Sequence, residues 1–192
     1  TTTRDGQRCS SAKAFLRPAM RRRNLTVVTG AHVSRISFEG KRARSVSYSR
    51  KGQDYKVRAG AEIILAAGAV GSPQILQLSG VGDARYLQSI GVRSVHDAPH
   101  VGQHLQDHYG INYIFKSKQK TLNDVFGSWP GRMIAGMQYV LRRSGPLSLS
   151  VNQLGGLVKS SASLDRPDTQ LYMNPLSYQT FHKGRRKLMK PD

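Results

Sequence analysis

The residues of this chain whose types and spacing best suit chemistry lie in one segment, residues 63–82. An apolar run, residues 63–65, leads into the small residues Ala67 and Gly68, and Ser72 follows them. In α/β proteins, small residues after a buried strand let bare backbone approach a bulky dinucleotide, and a helix start beside them offers unpaired N–H groups. The segment therefore predicts a cofactor site formed by Ala67, Gly68 and Ser72. Plain packing of a strand against a helix is the alternative.

Four histidines follow at intervals of four residues: His96, His100, His104 and His108. On one straight helix they would share a face and, with Asp97 and Asp107 nearby, could bind zinc or nickel. Pro99 and Gly102 interrupt that spacing, however, and residues 99–107 lack a helical period. We therefore expect an extended loop with incidental histidines and predict no metal.

The predicted cofactor residues require a strand and a helix to position them. Residues 63–65 form a continuous apolar run, as in a strand covered on both faces. Ser72 and Pro73 are a typical N-cap and first-turn pair, so the pattern predicts a helix over residues 74–78. The turn Gly80-Val81-Gly82 ends that helix.

The remaining pattern predicts a mixed α/β fold. Residues 43–49 include alternating apolar and polar side chains, and the glycine turns on either side predict antiparallel partners at residues 31–38 and 54–58. Further strands are expected at residues 25–29, 92–95, 109–116, 153–160 and 170–175, and further helices at residues 13–16, 83–90 and 131–143. The composition shifts near residues 106–109, which predicts a domain boundary there.

The chain of 192 residues carries 30 Lys and Arg against 11 Asp and Glu, a formal net charge of +19. At 38 % hydrophobic and 21 % charged, its composition is that of a folded protein. The charge would attract nucleic acid or an anionic surface. The basic residues are dispersed, however, apart from residues 21–23 and 183–190, so we predict no nucleic-acid partner.

Cys9 is the only cysteine, which excludes a disulfide within the chain and fits a reducing compartment. No apolar run approaches the roughly 18 residues of a membrane span, so we expect no transmembrane segment and a cytoplasmic or peripheral membrane location. The chain starts at Thr1 with neither a methionine nor the layout of a signal peptide. We therefore expect an internal piece of a larger protein.

Residues 68–82 match, at each defined position, a fifteen-residue signature of the glucose–methanol–choline (GMC) family of flavin-dependent alcohol oxidoreductases. The chain thus resembles this family over nearly its whole length. Residues 8–16, 24–27, 29–33, 101–108, 145–157 and 164–178 are similar to family segments as well. The family has glycine where this chain has His100 and asparagine where it has His104, so the resemblance assigns these two side chains no role.

The resemblance implies the central part of an FAD-binding, Rossmann-like domain over residues 1–107, including the antiparallel meander. It implies the start of an antiparallel-sheet substrate domain over residues 108–192. FAD is the implied cofactor, and Val33 is placed at its adenine end through the backbone, with a strand core residue as the alternative. The expected cofactor-binding residues are therefore Val33, Ala67, Gly68 and Ser72.

In the family, a histidine base takes the proton of an alcohol hydroxyl while hydride passes to the flavin. The resemblance thus implies an enzyme that oxidises the CH–OH group of a small-molecule alcohol and passes electrons to an acceptor, most like alcohol and choline dehydrogenases. The chain contains neither the family's Gly-x-Gly-x-x-Gly loop nor a match to its catalytic histidine. We therefore expect no catalytic residue in it. A basic nucleic-acid-binding module and a histidine-bearing metal-binding or interaction domain are the alternatives.

Overall fold

The computed structural model describes residues 2–150, 152–180 and 186–189, and it has the mixed α/β fold that the sequence predicts. The chain divides into two compact units. Thr26–Gly110 forms the first, which we call the central unit. Thr1–Leu25 and Ile111–Asp192 together form the second, which we call the split unit.

The split unit begins with a small antiparallel hairpin, β1 (Thr3–Arg4) and β2 (Gln7–Arg8). A π-helical turn, Ala12–Leu16, and a three-residue helix, α1 (Arg17–Ala19), follow. The regular helix predicted through residues 13–16 is therefore distorted. The proline inside α1 lacks an N–H group and cannot continue a regular hydrogen-bond ladder.

The central unit begins with the predicted antiparallel meander. β3 (Ala31–Glu39), β4 (Arg42–Arg50) and β5 (Gln53–Arg58) pair in sequence order, with β3 and β5 at the edges. Tyr48 and Tyr55 stack across the β4–β5 pair with ring centroids 5.2 Å apart. Such cross-strand aromatic pairs stabilise one register of a hairpin.

A helix and two short strands complete the central unit. α2 (Gly68–Leu78) is followed by β6 (Val81–Gly82), α3 (Ala84–Ser89) and β7 (His96–Asp97), and β6 pairs with β7 in parallel. Asp83 caps α3, because its carboxylate accepts the N–H of Tyr86 at 2.8 Å. The helix predicted at residues 83–90 is confirmed. The strand predicted at residues 92–95 is wrong, because the strand that forms there is β7, which begins one residue later, at His96.

Close packing at Gly80 accounts for that shift. The C=O of Gly80 accepts the N–H groups of Val95 at 2.7 Å and of His96 at 3.1 Å. Gly80 has a φ of +88°, and a Cβ atom there would lie 2.5 Å from the carbonyl oxygen of Arg93. Only glycine permits this approach, which places the start of β7 at His96.

The second part of the split unit holds two helices and two hairpins. The helices are α4 (Leu122–Gly127) and α5 (Trp129–Arg142), and a 3₁₀ turn, Pro146–Ser148, follows them. β8 (Leu154–Val158) pairs antiparallel with β9 (Thr169–Met173), and β10 (Tyr178–Thr180) with β11 (Arg186–Leu188). The predicted helix at residues 131–143 and the strands at residues 153–160 and 170–175 are confirmed.

Asn123 ties α4 to distant parts of the split unit. Its side chain is buried, and its amide nitrogen donates to the carbonyl oxygens of Ser177 and Met189, both at 2.9 Å. Its amide oxygen accepts the N–H of Ser177 at 2.8 Å. A buried amide with these partners satisfied holds the two segments in one place.

Three strands predicted at residues 25–29, 63–65 and 109–116 are not formed, and no described residue pairs with them in a sheet. An isolated strand leaves its N–H and C=O groups unpaired, so an apolar pattern becomes a strand only beside a neighbour. Ile64 and Phe115 are accordingly 79 % and 85 % exposed. These three predictions are wrong for this structure.

A capping box that the sequence analysis missed starts α4. The N–H and hydroxyl groups of Thr121 donate to the Asp124 carboxylate at 2.6 and 3.0 Å, and the N–H of Asn123 donates to the Thr121 hydroxyl at 3.2 Å. The Thr121 N–H, and then its hydroxyl, hold the pKa of Asp124 below its usual value. Thr121-x-x-Asp124 was a usable sequence signal for this helix.

We expect Gly80→Ala to destabilise the protein by about 2–3 kcal/mol, because the added methyl meets backbone oxygen at a strained φ. Gly52→Ala is the matched control, since Gly52 has a φ of +76° with no atom within 4 Å of its Cβ position. Gly52→Ala should lower the free energy of unfolding by only about 1–2 kcal/mol, the strain of a left-handed backbone conformation. Urea unfolding measures both free energies. Equal losses would contradict the steric role of Gly80.

The capping box predicts a pH dependence. Because folding lowers the pKa of Asp124, its carboxylate stabilises the folded state above the ordinary pKa, and this contribution disappears as the pH falls through the folded value. Asp124→Ala should therefore lower the free energy of unfolding at neutral pH and flatten its decline between about pH 5 and pH 2. Asp165→Ala is the control, because no described group hydrogen-bonds to that exposed carboxylate. An acid transition that is identical in Asp124→Ala and wild type would refute the prediction.

Candidate cofactor site

Ala67 and Gly68 lie where the chain enters α2. Ala67 is the N-cap residue, and Gly68 has a φ of +85°, a conformation that favours glycine. Both residues are exposed, and a Cβ atom on Gly68 would meet no atom within 4 Å. The first N–H groups of a helix also have no partner inside it. The backbone at this corner is therefore bare, open and rich in potential hydrogen-bond donors.

Ser72 lies inside α2 and not at its N-cap, so that part of the helix prediction is wrong. α2 begins at Gly68 and contains Pro73 in its interior. The Ser72 hydroxyl accepts the N–H of Ala67 at 3.0 Å, which organises a helical turn ahead of the proline. Ser72 thus holds the corner at Ala67 and Gly68 in place.

Val33 lies on β3, half-buried and paired with Tyr48. The register of β3 against β4 shifts between Val33 and Arg35, so Ser34 is the extra residue of a bulge. The Ser34 hydroxyl donates to the carbonyl oxygen of Ser47 at 3.2 Å across it. Bulges bend a strand and change the direction of nearby side chains, and they are common next to active sites.

The elements that carry Val33 and the corner at Gly68 are joined within the central unit. The N–H of Ile36, on β3, donates to the hydroxyl of Ser79 at 2.8 Å. Ser79 is the C-cap of α2, and its hydroxyl donates in turn to the carbonyl oxygen of Ile75 at 2.5 Å. Ser79 could not be identified from the sequence, because nothing local in it connects this residue to β3.

The two ends of the segment from Gly68 to Gly82 differ in their surroundings. Gly80 and Gly82 are buried, and a Cβ atom on Gly82 would lie 3.2 Å from Cγ of Gln77 and 3.4 Å from Cδ1 of Leu87. These two glycines therefore serve close packing inside the protein. The open backbone is confined to the start of the segment.

A second missed residue, Gln77, holds the loop after β7. Its side-chain nitrogen donates to the carbonyl oxygen of Val101 at 3.0 Å, and the Cβ position of Gly102 lies 2.7 Å from the same nitrogen. His104 follows with a positive φ of 56°. Histidine, like asparagine and aspartate, is among the non-glycine residues that adopt this conformation most often.

The histidine series forms no metal site in the described residues. The rings of His100 and His104 lie 5.5 Å apart and are tilted by 42°, while His96 lies on β7. Within the described part of the chain, no group of three or more His, Cys, Asp or Glu side chains is placed to hold a metal ion. None of the described helices is long and apolar enough to cross a membrane.

Comparisons with known proteins agree with the resemblance. The family profile described as GMC oxidoreductase matches residues 1–110. The chain is 42 % identical over 177 residues to an alcohol dehydrogenase [acceptor] of Pseudomonas putida, covering 91 % of this chain and 32 % of that protein. It is 37 % identical over 177 residues to oxygen-dependent choline dehydrogenase 1 of Chromohalobacter salexigens, covering 92 % of this chain and 32 % of the relative. The chain thus spans about a third of these relatives.

Solved structures show the same fold. An FAD-dependent oxidoreductase from Chaetomium thermophilum is 30 % identical with a TM-score of 0.60, covering 72 % of this chain and 24 % of its own. A formate oxidase is 23 % identical with a TM-score of 0.79, covering 96 % of this chain and 37 % of its own. The second similarity, at this low identity, speaks for the fold alone.

The bond between Ser72 and Ala67 predicts a local effect. Ser72→Ala removes the acceptor of the Ala67 N–H, so we expect that amide to exchange its hydrogen faster and the helix start to lose about 1 kcal/mol. Hydrogen exchange followed by mass spectrometry or NMR over residues 66–72 measures the change. Ser72→Thr keeps a hydroxyl acceptor and should exchange like wild type. Unchanged exchange in Ser72→Ala would show that the hydroxyl does not hold this corner.

Proposed function

The chain belongs to the GMC oxidoreductase family, and from this premise we propose that its central unit forms part of the FAD site of an enzyme that oxidises the CH–OH group of a small-molecule alcohol. The relatives named alcohol dehydrogenase [acceptor] and choline dehydrogenase support the substrate class and an electron acceptor. The structural relative named an FAD-dependent oxidoreductase supports the cofactor. The comparisons do not favour a nucleic-acid-binding module or a histidine-bearing metal-binding domain.

The single observation that carries the proposal is the open backbone at Gly68. A dinucleotide is bulky, and it needs main chain that no side chain shields. Gly68 provides this with a positive φ and no atom within 4 Å of its Cβ position. The segment from residue 63 to residue 82 has no ionisable side chain, so polar contacts from it would come from backbone N–H groups and from neutral side chains such as those of Ser72 and Gln74. The residues present therefore fit a nucleotide cofactor.

We assign four residues to that site. Ala67 and Gly68 give the close backbone approach, Ser72 holds their corner, and Val33 contacts the adenine end through its backbone. The bulge after Val33 supports this placement, since it changes the course of β3 at that point. FAD, when bound, supplies the hydride acceptor. The task of this chain is to bind and orient FAD.

We place no catalytic residue in this chain, because none of its six histidines matches the catalytic histidine of the family. We propose residues 1–107 as the central part of the FAD-binding domain and residues 108–192 as the N-terminal part of the substrate-binding domain. The family profile, which ends at residue 110, and the central unit, which ends at Gly110, support a boundary in this region. A cytoplasmic or peripheral membrane location is the proposed setting.

Gly68→Ala in the full-length enzyme tests the proposal. The wild-type enzyme should purify yellow, with FAD absorbance, and should reduce an artificial electron acceptor when given an alcohol. The methyl of Gly68→Ala protrudes into the open space, so we expect at least a tenfold loss of FAD affinity, about 1.4 kcal/mol. Titration of the apoenzyme with FAD measures it.

Gly91→Ala is the matched control for this test. Gly91 has a φ of +76° and no atom within 4 Å of its Cβ position, so the substitution adds the same backbone strain without touching the proposed site. It should bind FAD like wild type. A colourless, inactive wild-type enzyme, or equal FAD affinity of the two variants, would count against the proposed site.

A further inference from the structure

Ser79 makes two directional hydrogen bonds with one buried hydroxyl. Its side chain is 7 % exposed, and its hydroxyl hydrogen is donated to the carbonyl oxygen of Ile75 at 2.5 Å. This donation leaves the oxygen lone pairs free to accept the N–H of Ile36 at 2.8 Å. Both partners belong to buried residues, with Ile36 6 % and Ile75 9 % exposed. Water therefore has little access to replace either bond.

The bond to Ile36 completes an edge of the meander. β3 is an edge strand, and no described strand pairs with its outer side. The Ser79 hydroxyl accepts the Ile36 N–H in place of the carbonyl group that a neighbouring strand would offer. Ile36 is three residues beyond Val33, and the bulge lies between them. The position of Val33 thus depends on the hydrogen bond that fixes β3 at Ile36, just after the bulge.

The bond to Ile75 fixes the same hydroxyl to α2. Ser79 caps the C-terminus of this helix, which begins at Gly68 and, with 11 residues, is about 16 Å long. We expect a displacement at Ser79 to pass along this helix to its first turn, even though Pro73 contributes no N–H group to the hydrogen-bond ladder. Among the described residues, the Ser79–Ile36 contact is the one hydrogen bond that joins β3 to α2 and its cap.

We propose that Ser79 is a positioning residue for the FAD site: its hydroxyl sets the placement of Val33 relative to Gly68 and thereby the binding of the adenine half of FAD. This inference rests on the proposed function. It assigns to Ser79 no contact with the cofactor and no part in hydride transfer.

The test compares Ser79→Ala with Ser89→Ala in the full-length enzyme. Ser89 ends α3 and donates its hydroxyl to the carbonyl oxygen of Tyr86 at 2.7 Å, but it is exposed and has no sheet partner in the described residues. Its replacement removes a similar helix bond without a link to β3. Binding of FAD and of ADP, which carries only the adenosine and phosphate groups, is measured by titration of the apoenzyme.

Ser79→Ala should raise the dissociation constants of FAD and of ADP about fivefold or more, while the visible spectrum of the FAD-saturated variant stays that of wild type. Ser89→Ala should leave both constants within twofold of wild type. Ser79→Thr retains the hydroxyl and should restore part of the ADP affinity. If Ser79→Ala does not fold, Ser79→Cys, which keeps the shape of the side chain but has a slightly larger and weaker acceptor, should show the same loss.

Unchanged ADP affinity in the folded Ser79 variant would overturn the inference, as would an equal loss in Ser89→Ala. A shifted flavin spectrum would also overturn it, since general loosening rather than adenine-side placement would then explain the effect. Wild-type enzyme that binds FAD but not ADP would remove the adenine-side assignment. Wild-type enzyme that binds no FAD at all would refute the proposed function itself, a result distinct from the others.

Discussion

The N–H of Ile36 is a buried donor on the edge of a sheet, and the described strands offer it no acceptor. A buried backbone donor without a partner costs free energy comparable to a lost hydrogen bond. The Ser79 hydroxyl accepts this N–H group. The neighbouring Gly80 has no side chain, so Val95 and His96 approach closely enough to donate their N–H groups to the Gly80 carbonyl oxygen. One short turn therefore connects the meander, α2 and β7. The rest of the central unit depends on that connection.

Small residues have two different tasks in the one segment that matches the family signature. At Gly68 the absent side chain leaves open space beside a helix start, whereas at Gly80 it makes room for the protein's own backbone. A pattern of small residues by itself does not distinguish the two. The distinction needs the neighbouring atoms, which leave open space at Gly68 and fill the space at Gly80.

The sequence predicted those elements whose evidence is local. The meander has turns and alternation within 28 residues, and α5 has a helical period with a clear stop, so both were found. The strand at residues 63–65 was wrong because its formation requires a neighbour that the pattern cannot supply. Of the site, Ala67, Gly68, Ser72 and Val33 could be named from motifs, and their cofactor role stays a prediction. Ser79 could not be found, since its partner Ile36 is 43 residues away.

The buried amide of Asn123 bears on the order in which the split unit acquires its contacts. Its partners lie 54 and 66 residues further along the chain, so each bond closes a long loop and carries a considerable entropic cost. Hairpins such as β8–β9 close short loops and form quickly, whereas contacts of high sequence separation slow folding. We therefore expect the Asn123 junction to form late, after the capping box and the local bond from Arg132 to the carbonyl oxygen of Phe126 have shaped α4.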